Sequence, residues 1–475
     1  MLEPGLSPVA ATATRRVAIA IDDPAMARDV ARVMKARGLA TLAVSLDSGF
    51  AAIRGAGAAI AHIPDVPLEP LAAARLAPVC AAAATAKMPV AILANGPPVH
   101  GRAAAERAAA AAYLAAYGAI IVADPDAWLE TVILLACHGL PAGPRVAVVA
   151  PPGTWLAAQA HAQVATAERA RILTTVGKSP RADAVLVDRA ETGAAQPRDG
   201  LLIIPAIGRA ELCAPAAGEP VPLCGLAPSL AAVAAAGRLS ERLGAGFGPA
   251  PMADGDRLHP DRERIARQLA KLGEGAGDHE TKVLLAAYGV PVIRQAVATT
   301  ASAATRVAKK AGFPVEIKPW DPALPTEAEG CPVERRITSA AEVRRAFSQM
   351  VAVAGARGGA VIVRATPPAG RELSIRFSPC APLGLMAIAR ITGVPDLIAA
   401  PAPLRAMDAA AIAARVEASR SDDPEPDREA LADLLVRASH LAATDAIAWL
   451  ELSTVVCAPR PDGAVVVDAR CGLSR

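Results

Sequence analysis

Five side chains in this sequence are of types that can take part in phosphate or metal chemistry. They are His100, Lys318, Glu372, Glu451 and Asp468. A lysine can bind an anion, carboxylates on neighbouring strands can converge on Mg²⁺, and a histidine can act as a nucleophile. Each type also has a purely structural alternative: a lysine that ends a strand at solvent, a carboxylate on a strand surface, or a histidine in a plain loop.

The elements that must position these side chains follow from the pattern of apolar residues. Strands are predicted at residues 17–21, 40–46, 90–94, 119–123, 145–150, 184–187 and 201–205. Continuous apolar strands separated by helical stretches indicate parallel sheets that are covered on both faces. From residue 278 onwards, helices, strands and charged hairpins alternate in a way that is typical of an α+β module.

We therefore predict an α/β protein with several domains, since 475 residues exceed one ordinary core. Residues 15–140 are expected to form a flavodoxin-like parallel-sheet unit, and residues 143–244 a second, smaller one. Residues 245–277 are rich in Gly, Pro, Asp and Arg and are predicted to be a linker. Residues 278–475 form the predicted α+β domain.

A family pattern appears in residues 280–345. The strings ETKVLLAAYGVPV, AKKAGFPVEIK and SAAEVRRA follow one another with the spacing of the opening of an ATP-grasp module. Near the C-terminus, LADLLVRASHLAATDAIAWLELSTVVCAPRPDGAVVVDAR resembles the end of the same module. In these segments the chain resembles the NDP-forming acyl-CoA synthetases, which include ADP-forming acetate–CoA ligase and succinyl-CoA synthetase.

The N-terminal part is similar to other units of that family. Residues 88–117 resemble its succinyl-CoA-ligase-like flavodoxin unit, and GPRVAVVAPPGTWLAAQA at 143–160 resembles the start of the next unit. Fused members begin with a Rossmann-like CoA-binding domain, whereas this chain begins in what would be the second unit. The resemblance therefore implies that CoA binding is unlikely without a partner chain.

The resemblance also assigns roles to four of the side chains. Lys318 matches a lysine that reaches the nucleotide phosphates, and Glu372 matches a glutamate that helps to form the nucleotide site. Glu451 and Asp468 match acids of the metal site. The implied cofactors are ATP or ADP together with Mg²⁺.

The predicted phosphate loop, TEAEGCP at 326–332, departs from the family pattern. Glu327 replaces a lysine, and Cys331-Pro332 replaces a pair of glycines. A carboxylate repels a triphosphate, and proline lacks a backbone donor. Ser453 also replaces an asparagine between the two metal-site acids, so we expect nucleotide and magnesium binding to be weak or lost.

The phosphoryl-carrying histidine of the family is changed as well. Ungapped placement puts Ala108 at its position in GPPVHGRAAAERAAAA. His100 lies in the turn before the predicted helix and is the candidate for a shifted phosphoryl carrier.

Three functions remain open. The first is a non-catalytic or weakly active subunit of a larger complex, which the changed residues favour. The second is an active ADP-forming acyl-CoA ligase subunit that a partner completes, which Lys318, Glu372, Glu451 and Asp468 favour. The third is an ATP-grasp enzyme repurposed to join a carboxylate to an amine.

Composition and charge narrow the class of protein. The net charge is +3 and aromatic residues make up 3%, without a basic stripe that would indicate nucleic-acid binding. The eight cysteines have no zinc-type spacing. Since no apolar signal segment or convincing membrane span is apparent, we expect a cytoplasmic protein that works with protein partners or as a homo-oligomer.

Overall fold

The fold is taken from a computed structural model. It describes residues 16–65, 67–94, 96, 99–164, 170–173, 182–187, 201–203, 205–206, 221–272, 275–321, 327–354, 359–419 and 425–474. These residues form two compact units. The first contains the described residues up to Gly248 other than 104–109, and the second includes those from Pro249 onwards.

The strands are numbered in chain order. They are β1 (Arg16–Ile21), β2 (Ala40–Ala43), β3 (Ala59–Ile63), β4 (Val90–Leu93), β5 (Ile120–Val122), β6 (Val146–Val149), β7 (Ala170–Leu173), β8 (Ala184–Val187), β9 (Leu201–Ile203), β10 (Pro205–Ala206), β11 (Leu223–Cys224), β12 (Gly275–Ala276), β13 (Gln295–Ala298), β14 (Val315–Trp320), β15 (Glu334–Ile337), β16 (Ala360–Ala365), β17 (Arg371–Cys380), β18 (Gly384–Ile391), β19 (Leu397–Pro401), β20 (Ile447–Cys457) and β21 (Ala464–Leu473).

The α-helices are numbered in the same way. They are α1 (Pro24–Ala36), α2 (Phe50–Ile53), α3 (Pro70–Thr85), α4 (Gly101–Ala116), α5 (Pro125–Cys137), α6 (Trp155–Val164), α7 (Leu226–Ala245), α8 (Arg262–Leu269), α9 (Asp278–Ala287), α10 (Ala301–Ala311), α11 (Ala340–Ala354), α12 (Ala406–Ala418) and α13 (Arg428–Ala442). In the part of the chain that the structure describes, no helix is both long enough and apolar enough to cross a membrane.

The first sheet of the first unit is parallel and has the strand order β2-β1-β3-β4-β5. This is the flavodoxin-like order, in which the chain reverses direction across the sheet beside β1. The strands β3 and β4 are buried along their whole length, as their continuous apolar sequences require. The predicted α/β fold class with a parallel sheet is confirmed here.

The strand β3 was not predicted. The predicted strand at residues 90–94 is present as β4, and it is therefore the fourth strand along the chain and not the third. The sequence of β3, AIAHI, contains a histidine that interrupts the apolar run. His62 is nevertheless buried, with its Nδ1 2.6 Å from the carbonyl oxygen of Ala20. Burial lowers the pKa of His62, which favours the neutral ring.

The second parallel sheet has the order β7-β6-β8-β9. One continuous core joins side chains of both parallel sheets with those of α5 and α7. Within this unit, a buried ion pair links the end of α1 to α5: the two terminal nitrogens of Arg37 lie 3.0 and 3.1 Å from the carboxylate oxygens of Glu130. The backbone amide of Cys224 donates to the same carboxylate at 2.9 Å.

The second unit contains two antiparallel sheets. The four-stranded sheet has the order β13-β16-β14-β15 and packs against α10 and α11. The six-stranded sheet has the order β12-β21-β20-β17-β18-β19 and packs against α9, α12 and α13. The predicted α+β character of this part is confirmed.

The segment predicted as a linker contains regular structure. A 3₁₀ helix covers Met252–Leu258, and α8 and β12 follow it. The strand β12 pairs with β21, and Leu258, Ile265 and Leu269 pack against the core of the six-stranded sheet.

Candidate functional site

Lys318 lies on β14 and is only 4% exposed. Its Nζ is 2.8 Å from Oδ2 of Asp278, 2.9 Å from Oδ1 of Asp468 and 3.6 Å from Oε1 of Glu327. Burial lowers the pKa of Lys318, but the charges of Asp278 and Asp468 outweigh this effect, and the net pKa is raised. The side chain predicted to reach the nucleotide phosphates is therefore charged and already surrounded by three carboxylates.

A second buried lysine shares Asp278. The Nζ of Lys282 lies 2.8 Å from Oδ1 of Asp278 and 2.8 Å from Oε1 of Gln295, and it also contacts the carbonyl oxygen of Val467. Burial lowers the pKa of Lys282 to about 8. Burial raises the pKa of Asp278, but Lys282 and Lys318 overcome that effect and hold it well below its usual range.

Glu327 comes from the predicted phosphate loop and occupies the centre of the site. Its backbone amide donates to Oδ2 of Asp468 at 2.9 Å, and its carboxylate contacts Arg364 and, at 3.1 Å, Arg335. Burial raises the pKa of Glu327, but the charges of Arg364 and Lys318 lower it further than burial raises it. Glu327 is therefore an ionised acceptor for several cations.

Arg364 connects Glu327 to a further buried acid. It is 1% exposed, and its Nε and one terminal nitrogen donate to Oε2 of Glu316 at 2.9 and 2.6 Å. Arg335 approaches the other oxygen of Glu316 at 3.8 Å. A buried guanidinium requires such partners, because an unpaired buried charge is strongly unfavourable.

These contacts define a charge cluster of four acids and four bases. Its members are Asp278, Lys282, Glu316, Lys318, Glu327, Arg335, Arg364 and Asp468. With every group ionised, the cluster has a net charge of zero. A triphosphate that approached it would find each cation already paired with a carboxylate of the protein.

The two predicted metal-site acids lie on paired strands, Glu451 on β20 and Asp468 on β21. Oε2 of Glu451 is 2.8 Å from Arg376 and 3.5 Å from Arg470, and Arg376 stacks over the ring of Trp449 at 4.8 Å. Asp468 is held by Lys318 and by the backbone amide of Glu327. Both carboxylates are thus paired with cationic side chains of the protein in this structure. Among the described residues, no three His, Cys, Asp or Glu side chains form a group that could hold a metal ion.

A cavity of about 700 Å³ adjoins the charge cluster. It is lined by Glu316, Glu327, Arg335, Arg364, Thr366, Pro367, Pro368, Ala369, Gly370, Glu372, Leu373, Ser374, Arg390, Thr392, Ser453, Thr454, Val456 and Val467. Glu372, predicted to help form a nucleotide site, lies exposed at this cavity. The volume of the cavity is within the range of about 300–1,000 Å³ that is usual for small-molecule sites.

The candidate phosphoryl carrier lies in the first unit. His100 is exposed at the N-cap of α4, where its side chain makes no capping hydrogen bond. Ala108 lies inside α4 and offers no nucleophile.

Sequence reasoning missed five members of the charge cluster: Asp278, Lys282, Glu316, Arg335 and Arg364. For Glu316 and Arg364 a signal was present, because each interrupts an apolar strand, VEIKPW and AVIVRA. Charged residues in buried strands almost always have partners, so the two could have been paired with each other. The register confirms this, since Glu316 lies opposite Arg364 on β14 and β16.

Comparisons with known proteins agree with this fold. Residues 269–473 match the model of an ATP-grasp domain. The β subunit of acetate–CoA ligase [ADP-forming] II of Pyrococcus furiosus is 26% identical over 224 residues, covering 43% of this chain and 94% of that protein. The β subunit of the same organism's acetate–CoA ligase [ADP-forming] I is 27% identical over 233 residues, covering 45% of this chain and 98% of that protein.

A solved structure is similar over a comparable share of the chain. The dinucleotide-forming acetyl-coenzyme A synthetase 1 of Ca. Korarchaeum cryptofilum, solved with coenzyme A and Ca-AMPCP, is 26% identical with a TM-score of 0.41. The match covers 45% of this chain and 100% of that one. ATP-grasp domains in general bind a nucleotide and magnesium. The family-model match assigns an ATP-grasp domain to residues 269–473. In sequence, the chain is similar to the β subunits of ADP-forming acetate–CoA ligases.

Proposed function

We propose that this chain is a non-catalytic or weakly active ATP-grasp subunit of an acyl-CoA-synthetase-like assembly. The observation that carries the proposal is the position of the Glu327 carboxylate, which is bound by Arg364 and Arg335 and lies 3.6 Å from Lys318. The Glu327 carboxylate therefore pairs with the cationic side chains that would otherwise bind a nucleotide phosphate. The protein supplies its own anion in place of the ligand.

Electrostatics give the size of this effect. Two unit charges 4 Å apart interact by about 4 kcal/mol at an effective dielectric constant of about 20. A phosphate oxygen beside Glu327 would meet repulsion of this order, without an unpaired lysine or arginine of the cluster to offset it. Binding of Mg-ATP is therefore expected to be weak or absent.

At the predicted metal site, the carboxylate of Glu451 is likewise paired with a cationic side chain of the protein. Arg376 lies 2.8 Å from Glu451, where its guanidinium supplies the positive charge that a divalent cation would bring. This arrangement supports the loss of magnesium-dependent phosphoryl transfer, because that reaction needs a metal to neutralise charge on the transferred group.

Partner chains are the second part of the proposal. The two Pyrococcus furiosus relatives are both β subunits, and each is matched over nearly its whole length. We infer that this chain also assembles with another protein. Affinity purification from the native host, followed by mass measurement, is expected to give a complex; a lone monomer without a co-purifying protein would contradict this part.

Turnover tests the loss of catalysis directly. Purified protein incubated with labelled ATP, or with acetyl-CoA and labelled phosphate, should carry no acid-labile label and form no nucleotide product. Label that disappears in His100→Ala but persists in the control His161→Ala, another exposed histidine, would show that the nucleophile has shifted and would refute the proposal.

An active ligase subunit completed by a partner is the second candidate. The open cavity beside Glu372 favours it, because space for a small molecule is retained. The same assay on the intact native assembly distinguishes this candidate from the non-catalytic subunit. Formation of ATP from ADP, phosphate and an acyl-CoA would support the active ligase and contradict the non-catalytic subunit.

A further inference from the structure

The strand β2 is an edge of the first parallel sheet, and among the described residues no strand pairs with its outer side. The amide of Val44, just after β2, donates to the carbonyl oxygen of Ile19 at 2.9 Å. Successive residues of a strand direct their backbone groups to opposite sides, so those of Thr41 and Ala43 point away from β1. The outer side of β2 therefore presents amide and carbonyl groups that another strand could pair with.

The sequence of β2, ATLA, does not protect this edge. It contains neither a charged residue nor a proline. Those are residues with which natural edge strands prevent pairing with other chains. Leu42 and Ala43 are both exposed, and Leu42 is 44% exposed. The edge is thus open and apolar.

A groove of about 660 Å³ lies between α1 and the start of β2. Its charged lining residues are Arg28, Arg32 and Lys35, which are exposed bases on one face of α1, and no acid lines it. Arg32 lies 2.6 Å from Asp29 in an exposed ion pair, whereas Arg28 and Lys35 take part in no ion pair with the rest of the described chain. The groove beside the open edge is therefore positively charged.

The two faces of the sheet differ in chemistry at this edge. Ile19 of β1 belongs to the same core as Met34 of α1, so α1 covers this face of the sheet. Ala43 pairs with Ile19 and lies on the same face, whereas Leu42 points to the opposite face. A strand added to β2 would place one row of its side chains beside the bases of α1 and the other row beside Leu42.

We propose that β2 binds an extended segment of a partner chain as an additional strand of the first sheet, and that acidic residues alternate with apolar ones in this segment. Its backbone would pair with Thr41 and Ala43, its acids would contact the bases of α1, and its apolar side chains would cover Leu42. The inference rests on the second part of the proposed function, the assembly with another protein. It names the surface of this chain and the chemistry of the partner.

The spacing of the bases suits such a strand. Arg28 and Lys35 are seven residues apart on α1, which corresponds to about 10 Å along the helix axis. Side chains on one face of a strand recur about every 6.6 Å. Two acids at alternate positions of the added strand therefore fall within the row of three bases.

Hydrogen exchange of the native assembly tests the inference. Mass spectrometry compares the exchange of backbone amides at residues 40–44 in the assembly purified from the native host with their exchange in the full chain alone. In the assembly, the amides of Thr41 and Ala43 are expected to exchange at least about tenfold more slowly, because they donate to the added strand. The partner segment that becomes protected with them should have acidic residues at alternate positions.

One pair of variants tests the backbone contact. Thr41→Pro removes an outward amide and leaves the hydrogen bonds to β1 in place, and its control Thr41→Ala keeps that amide. Binding of the full chain to the partner chain isolated from the assembly should be at least about tenfold weaker for Thr41→Pro and nearly unchanged for Thr41→Ala. Thermal unfolding of each free variant checks that it is folded.

A second pair tests the charge. Arg28→Glu/Lys35→Glu should also weaken binding to the partner chain at least about tenfold, with a larger effect at low salt. Its control, Arg75→Glu/Lys87→Glu, changes two exposed bases outside the groove and should leave the affinity unchanged.

Each contrary outcome has its own meaning. A lone monomer from the native host would contradict both the proposed assembly and this inference. An assembly in which Thr41 and Ala43 exchange as fast as in the free chain would overturn this inference alone. Protection by a second copy of this chain, or by a segment without alternating acids, would overturn it too, as would binding that is unchanged in Thr41→Pro or in Arg28→Glu/Lys35→Glu.

Discussion

The effect of replacing Lys318 on stability distinguishes a lysine that holds the fold together from one that is available to bind a nucleotide. Lys318→Met removes the cation but keeps a side chain of similar length. It would leave Asp278 and Asp468, which are 11% and 1% exposed in their side chains, without their shared partner. A lysine that faced an open phosphate site would not neutralise buried carboxylates in the free protein, and its replacement would cost little stability.

The expected magnitude follows from burial. Removing one partner of a buried ion pair costs about 3–5 kcal/mol. Asp278 keeps Lys282, and Asp468 keeps the amide of Glu327, so the lower end, about 3 kcal/mol, is expected. For a unit of this size, this corresponds to a fall in Tm of about 6–12 °C.

Scanning calorimetry without nucleotide measures this fall in the transition of the second unit. The control is Lys309→Met, which changes an exposed lysine in the last turn of α10 and should cost less than about 1 kcal/mol. If Lys318→Met costs no more than the control, Lys318 is not held by the charge cluster, and the reasoning for a filled site fails.

Three further perturbations test other contacts of the fold. The pKa of Glu327 is lowered in the folded protein, so the carboxylate stabilises the fold fully above its ordinary pKa of 4.5, and this effect is lost as the pH falls through the lower pKa of the folded state. The difference in urea midpoint between wild type and Glu327→Gln should therefore shrink below pH 4.5. A difference that is constant with pH would contradict the ion pairs. Arg37→Met should destabilise the first unit by about 3–5 kcal/mol in urea unfolding, because it leaves the buried Glu130 carboxylate without its cation; a cost close to zero would show that the pair is dispensable. Gly472→Ala would place a Cβ 2.3 Å from Nε1 of Trp449, and thermal unfolding should show a loss of about 1–3 kcal/mol for this overpacking, whereas unchanged stability would mean that the indole moves freely.

The sequence predicted the classes of structure well because they follow from local patterns. Buried parallel strands such as VAVV and AVLV have continuous apolar sequences, and the spacing of the C-terminal segments was typical of an ATP-grasp module. The strand β3 was missed because His62 breaks its apolar run, and only the tertiary structure shows the carbonyl oxygen of Ala20 that satisfies the ring.

The site was harder to predict because its contacts are distant in sequence. Lys318 was identified, but its partners Asp278 and Asp468 lie 40 residues before and 150 residues after it, and no local pattern joins them. Glu327 was identified as repulsive to a triphosphate. Its actual role depends on Arg364, which is 37 residues away and is brought to it by the pairing of β14 with β16.

Titration of Mg-ATP into the wild-type protein and into Glu327→Gln tests most directly whether Glu327 occupies the phosphate position. The variant keeps the shape of the side chain but frees Arg364 and Lys318 from one negative charge. We predict no saturable binding to the wild type and saturable binding to the variant, with a Kd at least about tenfold below the highest concentration at which the wild type shows no binding. Low-micromolar binding of Mg-ATP to the wild type, unchanged in Glu327→Gln, would contradict the account.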